Sequence, residues 1–211
     1  LAHATIPLCS GEELHTTSKT YTNSIAAAQT VAAWIHRDTG NPQHNWHAAS
    51  QEMARLIDEA GEYIPKAAAA LKECTTLAII GSGASLANAC QAQLVLTEVA
   101  HVSANAYTPG QFLHGPTEAI DHTFGAIVLD TPDMQEQSGT IIEDIVRYNG
   151  TVVCISTRND GHAASDVIHI PIRSPLTDFS QVLEIVPIEL LANELGQAKG
   201  LQPGRLWRTQ K

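Results

Sequence analysis

No apolar run in this sequence reaches the roughly 18 to 20 residues that a bilayer-spanning helix requires. The opening "LAHATIPLCS" has neither the basic end nor the long apolar stretch of a secretion signal. Basic residues are also scarce. Lys and Arg number 12 against 22 Asp and Glu, a net charge of −10, so a nucleic-acid backbone or an anionic lipid surface would be repelled. No nucleic acid and no membrane are expected as partners, and a cytoplasmic protein is expected. Cysteine is sparse: Cys9, Cys74, Cys90 and Cys154 show no C-x-x-C spacing and sit in or beside apolar segments. That pattern predicts reduced thiols packed in a core. Low-complexity segments are absent, and so is a starting methionine. The chain opens on Leu1 and stops on the basic stretch "GRLWRTQK", which reads as a fragment or processed chain.

What is present is apolar material, 44% of 211 residues, enough for one main domain with an appendage. Residues 4–9, "ATIPLC", predict a short strand, followed by a hydroxyl-rich loop. A helix should begin near Ser18, with Tyr21, Ile25, Ala28, Val31, Ala32 and Ile35 at helical spacing. A second helix is expected over about 47–73, carried by Met53, Leu56, Ile57, Ala60, Ile64, Ala68 and Leu71.

From residue 75 the regime changes. "TLAIIG" is a continuous apolar run ending in glycine, the form of a strand buried on both faces, and a helix of about five turns follows it. "FGAIVLD" (124–130), "TVVCIS" (151–156) and "DVIHIPI" (166–172) repeat the strand pattern, with helices over about 134–148 and 180–199. Strands alternating with helices predict an α/β domain, a doubly wound, flavodoxin-like parallel sheet of about five strands.

Three stretches bear chemistry. In "IIGSGASLANA" the loop Gly81, Ser82, Gly83 and Ser85 lies between strand and helix, and its N–H groups would suit an anion or a sugar hydroxyl. Leu86 occupies the third glycine's place of a dinucleotide fingerprint, so a plain tight turn is the alternative. Glu98 continues the row Leu86, Cys90, Leu94 at four-residue spacing; it is either a helix-end acid in water or a base in a partly dry site. His114 sits in "TPGQFLHGP" between two Pro/Gly pairs, either as a turn cap or as an acid-base group held on a stiff loop. His44 and His47 in "HNWH" have no carboxylate or cysteine to complete a metal set, so no metal is expected.

The stretch "GSGASLANACQAQLVLTEVAHVSANAYTPGQFLHGP" resembles the second sugar isomerase (SIS) domain of the double-SIS phosphosugar enzymes. That family includes the isomerase half of glutamine–fructose-6-phosphate aminotransferase and the aminosugar-phosphate isomerases and deaminases. "SGEELHTTSKTYTN" is similar to the end of the family's first SIS domain, and "IVPIELLANELGQAKGLQPGR" to its closing helix and turn. The resemblance divides the chain into a first-domain remnant (1–46), a linker helix (47–74), a second SIS domain (75–200) and a tail reaching the active site (201–211).

The resemblance also implies roles. Glu98 would move a proton between C1 and C2 of the sugar, and His114 would assist ring opening from across a homodimer interface. Lys211 would stabilise the open-chain carbonyl, with Arg208 its rival if the register differs, and Thr17 and Ser18 would bind the sugar. Gln111 stands where the family often has an acid, and Asn105 where another glutamate is frequent. The family's phosphate-binding Ser/Thr loop belongs to the first domain, which would lie before Leu1. Isomerisation needs a base, a ring-opening group and a cation, and no cofactor. A non-catalytic sugar-phosphate-binding regulator or a dimerisation module are the competing readings.

Overall fold

Strand β1 (Thr76–Ile80), β3 (Phe124–Asp130) and β4 (Thr151–Ser156) form where the apolar runs predict them. The computed structural model describes residues 3–13, 16–36, 42–158, 166–173 and 180–205. Two more strands complete the sheet, β2 (Ala104–Tyr107) and β5 (Val167–Pro171), in the order β2-β1-β3-β4-β5, with every pair parallel. This is the flavodoxin-like order, whose connections reverse direction at β1 and β3.

Both faces of the central strands are dry because helices cover both. Leu77, Ile79, Ile127, Leu129, Val153 and Ile155 point to one side, where they meet α3 (Ala60–Leu71), α4 (Ser85–Ala100) and α7 (Ser180–Ala198). Their neighbours Ala78, Ile80, Ala126, Val128, Val152 and Cys154 point to the other side, against Phe112 of α5 (Pro109–Leu113) and Ile141, Ile142 and Ile145 of α6 (Gln135–Arg147). Cutting Leu77 or Ile79, both fully buried, to alanine would cost about 2–5 kcal/mol. Outside this layer α1 (Lys19–Ile35) and α2 (Pro42–Asp58) lie against α7, and α1 has no fully buried residue. No helix among the described residues is long and apolar enough to cross a membrane.

Four expectations need correction. Residues 4–9 form no strand: Pro7 has no N–H to give a ladder, Cys9 is left-handed at φ 52°, and the sheet ends at β2 and β5 without them. The helix expected over 47–73 is two helices, broken at Glu59. Pro65 cannot donate to the carbonyl of Gly61, and glycine is itself a poor helix former. The break is tied down. Arg55 pairs with Glu52 and Glu59 and also donates to the carbonyl of Pro171 at the end of β5 (3.0 Å). The stiff loop before His114 is a short helix, α5. Finally, Cys74 and Cys154 are buried as expected, but Cys9 and Cys90 are exposed.

Candidate active site

The glycine loop lies above the C-terminal ends of β1 and β3, the place where open α/β sheets leave a crevice. Its geometry is close-packed. A Cβ on Gly81 would meet the carbonyl oxygen of Ser85 at 2.8 Å, and one on Gly83, at φ +54°, would meet Oδ2 of Asp133 at 2.1 Å. The Asp133 carboxylate therefore lies against the Cα of Gly83, which leaves no room for a side chain there. The N–H groups of Ser85 and Leu86 turn back to the carbonyls of Ser82 (3.0 Å) and Gly83 (3.3 Å). Ser85 is buried, and its hydroxyl donates to Oε1 of Glu184 at 3.1 Å.

Glu184 is the centre of a buried polar network. The amide of Asn88 donates to Glu184 Oε2 (2.9 Å) and to the carbonyl of Gln181 (2.8 Å), while the Tyr21 hydroxyl donates to Asn88 Oδ1 (3.0 Å). Burial pushes the Glu184 carboxyl above the ordinary range, against the lowering effect of its donors Asn88, Ser85 and Ser180. The network locks α1, α4 and α7 together. A second buried acid, Asp130 at the end of β3, accepts from the hydroxyls of Ser138 and Ser156, each at 2.7 Å.

Glu98 lies at the other end of α4. Thirteen residues separate it from Ser85, so it stands roughly 20 Å along the helix axis from the glycine loop. The buried face of α4 is Asn88, Ala89, Ala92, Val95, Leu96 and Val99, which leaves the row Leu86, Cys90, Leu94 and Glu98 on the outward side. There Glu98 opens on a pocket of about 320 Å³ that also takes in Thr17, Thr20, Tyr21, Ser24, Gln91 and Leu94. Gln91 donates to the carbonyl of Thr17 at 3.3 Å, and Glu98 is half-buried. Two of the residues picked from sequence, Glu98 and Thr17, thus line one hydroxyl-rich pocket.

Ser18 starts α1, and Glu13 folds back over it. The Glu13 carboxylate accepts from the N–H groups of Ser18 (2.8 Å) and Thr20 (3.1 Å). Bonding to the Thr20 side chain comes first among the effects that hold its pKa down at about 2. Thr17 also faces a second cavity of about 510 Å³ on its far side, bounded by Ser18, Lys19, Val95, Val186 and Glu189.

His114 is not in either pocket. It closes α5, beyond the end of β2, and it is exposed. The local sequence fixes it there. Thr108 and Gln111 form a reciprocal cap, Gln111 N–H to Thr108 Oγ1 (3.2 Å) and Thr108 N–H to Gln111 Oε1 (3.0 Å), with Pro109 on the first turn. Tyr107, Phe112 and Phe124 stack behind it, with ring centroids 6.1 Å apart in each pair. Gly115 takes φ +138°, a conformation open to glycine, and Pro116 begins a 3₁₀ turn. Lys211 and Arg208 lie outside the described residues. His47 is exposed and contacts Gln51 at 3.1 Å, and no group of three or more His, Cys, Asp or Glu converges among the described residues.

Glu184 and Glu189 were not singled out from sequence, although the signal exists. Both interrupt the apolar run "VLEIVPIELL" in a helix with no polar face.

No family model matches the chain. Among curated proteins it is 28% identical over 194 residues to a glutamine–fructose-6-phosphate aminotransferase [isomerizing] of Thermus thermophilus, covering 87% of this chain and 32% of the relative. The chain thus spans about a third of the length of the curated relatives it matches. Among solved structures, the C-terminal domain of glucosamine-fructose-6-phosphate aminotransferase from Francisella tularensis superposes with a TM-score of 0.78 at 16% identity, over 92% of this chain and 57% of that one. Tagatose-6-phosphate ketose/aldose isomerase from Escherichia coli gives 0.75 at 16% identity, over 94% of this chain and 55% of that one. Five parallel strands in flavodoxin-like order, together with this similarity, bear out the reading of the motifs: the chain has the α/β fold of an SIS domain and is similar to SIS-domain phosphosugar isomerases and to glutamine–fructose-6-phosphate aminotransferases.

Proposed function

We propose that this chain carries the proton-transfer site of an enzyme that isomerises a sugar phosphate or amino-sugar phosphate, with or without transfer or release of nitrogen. The observation that carries the reading is the pocket in which Glu98 meets Thr17, a carboxylate beside a ring of hydroxyl and amide groups. Aldose–ketose interconversion removes a proton from the carbon beside the carbonyl and returns one to its neighbour. One carboxylate does both, and the electron pair stays within the substrate as an enediol. Glu98 is that base, Thr17 and Ser18 orient the sugar hydroxyls, and Lys211 or Arg208 supplies the cation beside the developing oxyanion.

His114 stands beyond the end of β2, whereas Glu98 lies in the last turns of α4 near the start of that strand. The exposed imidazole therefore serves a neighbouring subunit's sugar, and the active form is a homodimer. The glycine loop, with Asp133 over it and Ser85 spent on Glu184, anchors α4.

The test is solvent isotope exchange. In the full-length protein, Glu98→Gln should lower deuterium wash-in at C1 or C2 of fructose 6-phosphate by at least about 10²-fold while sugar-phosphate binding persists. Exchange at the parent rate would overturn the assignment. A binding module without turnover would show no exchange in either protein.

A further inference from the structure

The larger cavity, about 510 Å³, borders the proposed sugar site at Thr17 and Ser18 but takes in neither Glu98 nor His114. It lies between α1, α2, α4 and α7, and its walls are apolar, with Met53, Ile57, Val95, Val99, Val186 and Leu190. Glu189 and Thr16 are among its walls, and one oxygen of each, Glu189 Oε1 and Thr16 Oγ1, is buried behind that surface without a hydrogen-bond partner among the described residues. A native fold rarely leaves buried oxygens unsatisfied, because each forfeits its hydrogen bonds to water. Two such atoms on side chains that wall one roomy cavity mark a place that a ligand completes by drawing those side chains toward it. The volume lies in the range of small-molecule sites, which are mostly apolar with a few placed polar groups.

The chemistry of the lining selects the ligand. A carboxylate oxygen only accepts, and a threonine hydroxyl can accept as well, so the complementary group is rich in donors. An ammonium has three N–H donors and a positive charge to match Glu189. We propose that this cavity binds a small organic cation, a primary amine with an apolar body, whose ammonium is received by Glu189 and Thr16 while the body lies against Val95, Val99 and Leu190.

The electrostatics agree. Burial, with a smaller effect of Glu13, raises the Glu189 carboxyl to about 7. The charged groups near it are Glu13 and Lys19, at the start of α1; Lys19 Nζ is turned to the carbonyl of Glu12 at 2.6 Å. From α2 and α4 the cavity receives only Met53, Ile57, Val95 and Val99. An arriving ammonium favours the ionised acid, so at neutral pH Glu189 releases a proton as the amine binds. Amine affinity therefore rises with pH through 7.

Calorimetric titration of the full chain with benzylamine, and with benzyl alcohol as its uncharged isostere, tests this. Benzylamine should bind at least about tenfold more tightly than the alcohol at pH 8 and lose about tenfold between pH 8 and pH 6. Its heat should vary with the buffer's ionisation enthalpy. Glu189→Gln should bring the two ligands to within about twofold and abolish the buffer dependence. Ile57→Trp, which narrows the cavity from the exposed side of α2, should weaken both ligands equally, and thermal melts of both variants establish that the fold is intact. Equal binding of amine and alcohol by the parent protein, no binding of either, or a preference that survives Glu189→Gln would each overturn the proposal. None of these readouts depends on the proton exchange assigned to Glu98.

Discussion

Glu184 and Glu189 sit five residues apart on α7, and burial acts on them in different company. Glu184 has donors from Asn88 and Ser85, whereas Glu189 has no hydrogen bond at Oε1 among the described residues. Folding raises the Glu189 pKa from 4.5 to about 7, so the folded state holds this proton more tightly than the unfolded chain does. The fold gains from Glu189 below pH 4.5, loses that gain as pH rises toward 7, and is level above it. The full shift is worth roughly 3 kcal/mol, and about half of that remains once water at the cavity mouth is allowed for. Glu189→Gln removes the titration. Urea melts should place the variant about 1–3 kcal/mol above the parent at pH 8 and near parity at about pH 4. Parallel stability–pH curves would mean that Glu189 is solvated in the folded state. At this scale the sequence marked Glu98 by its place in a four-residue row, and Thr17 through the family resemblance of the stretch around it. It did not mark Glu189, because an acid in an apolar run acquires its meaning only when α1, α2 and α4 close around it.

The legibility of each element followed how much of its stability is local. β3 and β4 match the predicted spans residue for residue, since strands buried on both faces must be written as unbroken apolar runs. β2 is only "ANAY", an edge strand held by β1 on one side, and its polar Asn105 is exposed. Residues 4–9 read as a strand because the pattern alone cannot reveal that no partner strand lies beside them. The case of α5 is more instructive. Five residues are too few to form a helix by propensity, so the Thr108–Gln111 cap and the Tyr107–Phe112–Phe124 stack must hold it. Gln111, which departs from the acid frequent in the family, keeps the cap because amide and carboxylate oxygens accept equally from the Thr108 N–H. Thr108→Ala should therefore cost about 1 kcal/mol in chemical denaturation. Gln111→Glu should stay within about 0.5 kcal/mol of the parent, as expected when the cap geometry survives. A Thr108→Ala variant as stable as the parent would show that the aromatic stack alone holds α5.

At the scale of the whole molecule, the parallel sheet sets Glu98 and His114 apart within one subunit, and the proposal that they serve one site therefore requires two copies. In the proposed homodimer each site would be composite, with Glu98 from one subunit and His114 from the other. That arrangement has a consequence no single-subunit site shares. When Glu98→Gln and His114→Ala proteins are unfolded together and refolded as a mixture, each heterodimer carries one site with both substitutions and one with neither. Equal amounts give half heterodimers, so the mixture should regain about one quarter of parental turnover although each variant alone is inactive. The measurement is turnover of the full-length proteins after co-refolding, against separately refolded controls. A mixture as inactive as its components would place both groups of each site in one chain, and His114 would then have to move across the sheet edge to meet Glu98. Recovery near one quarter would explain why the histidine is held so firmly by Thr108, Gln111 and Gly115 at a surface where its own subunit has no use for it.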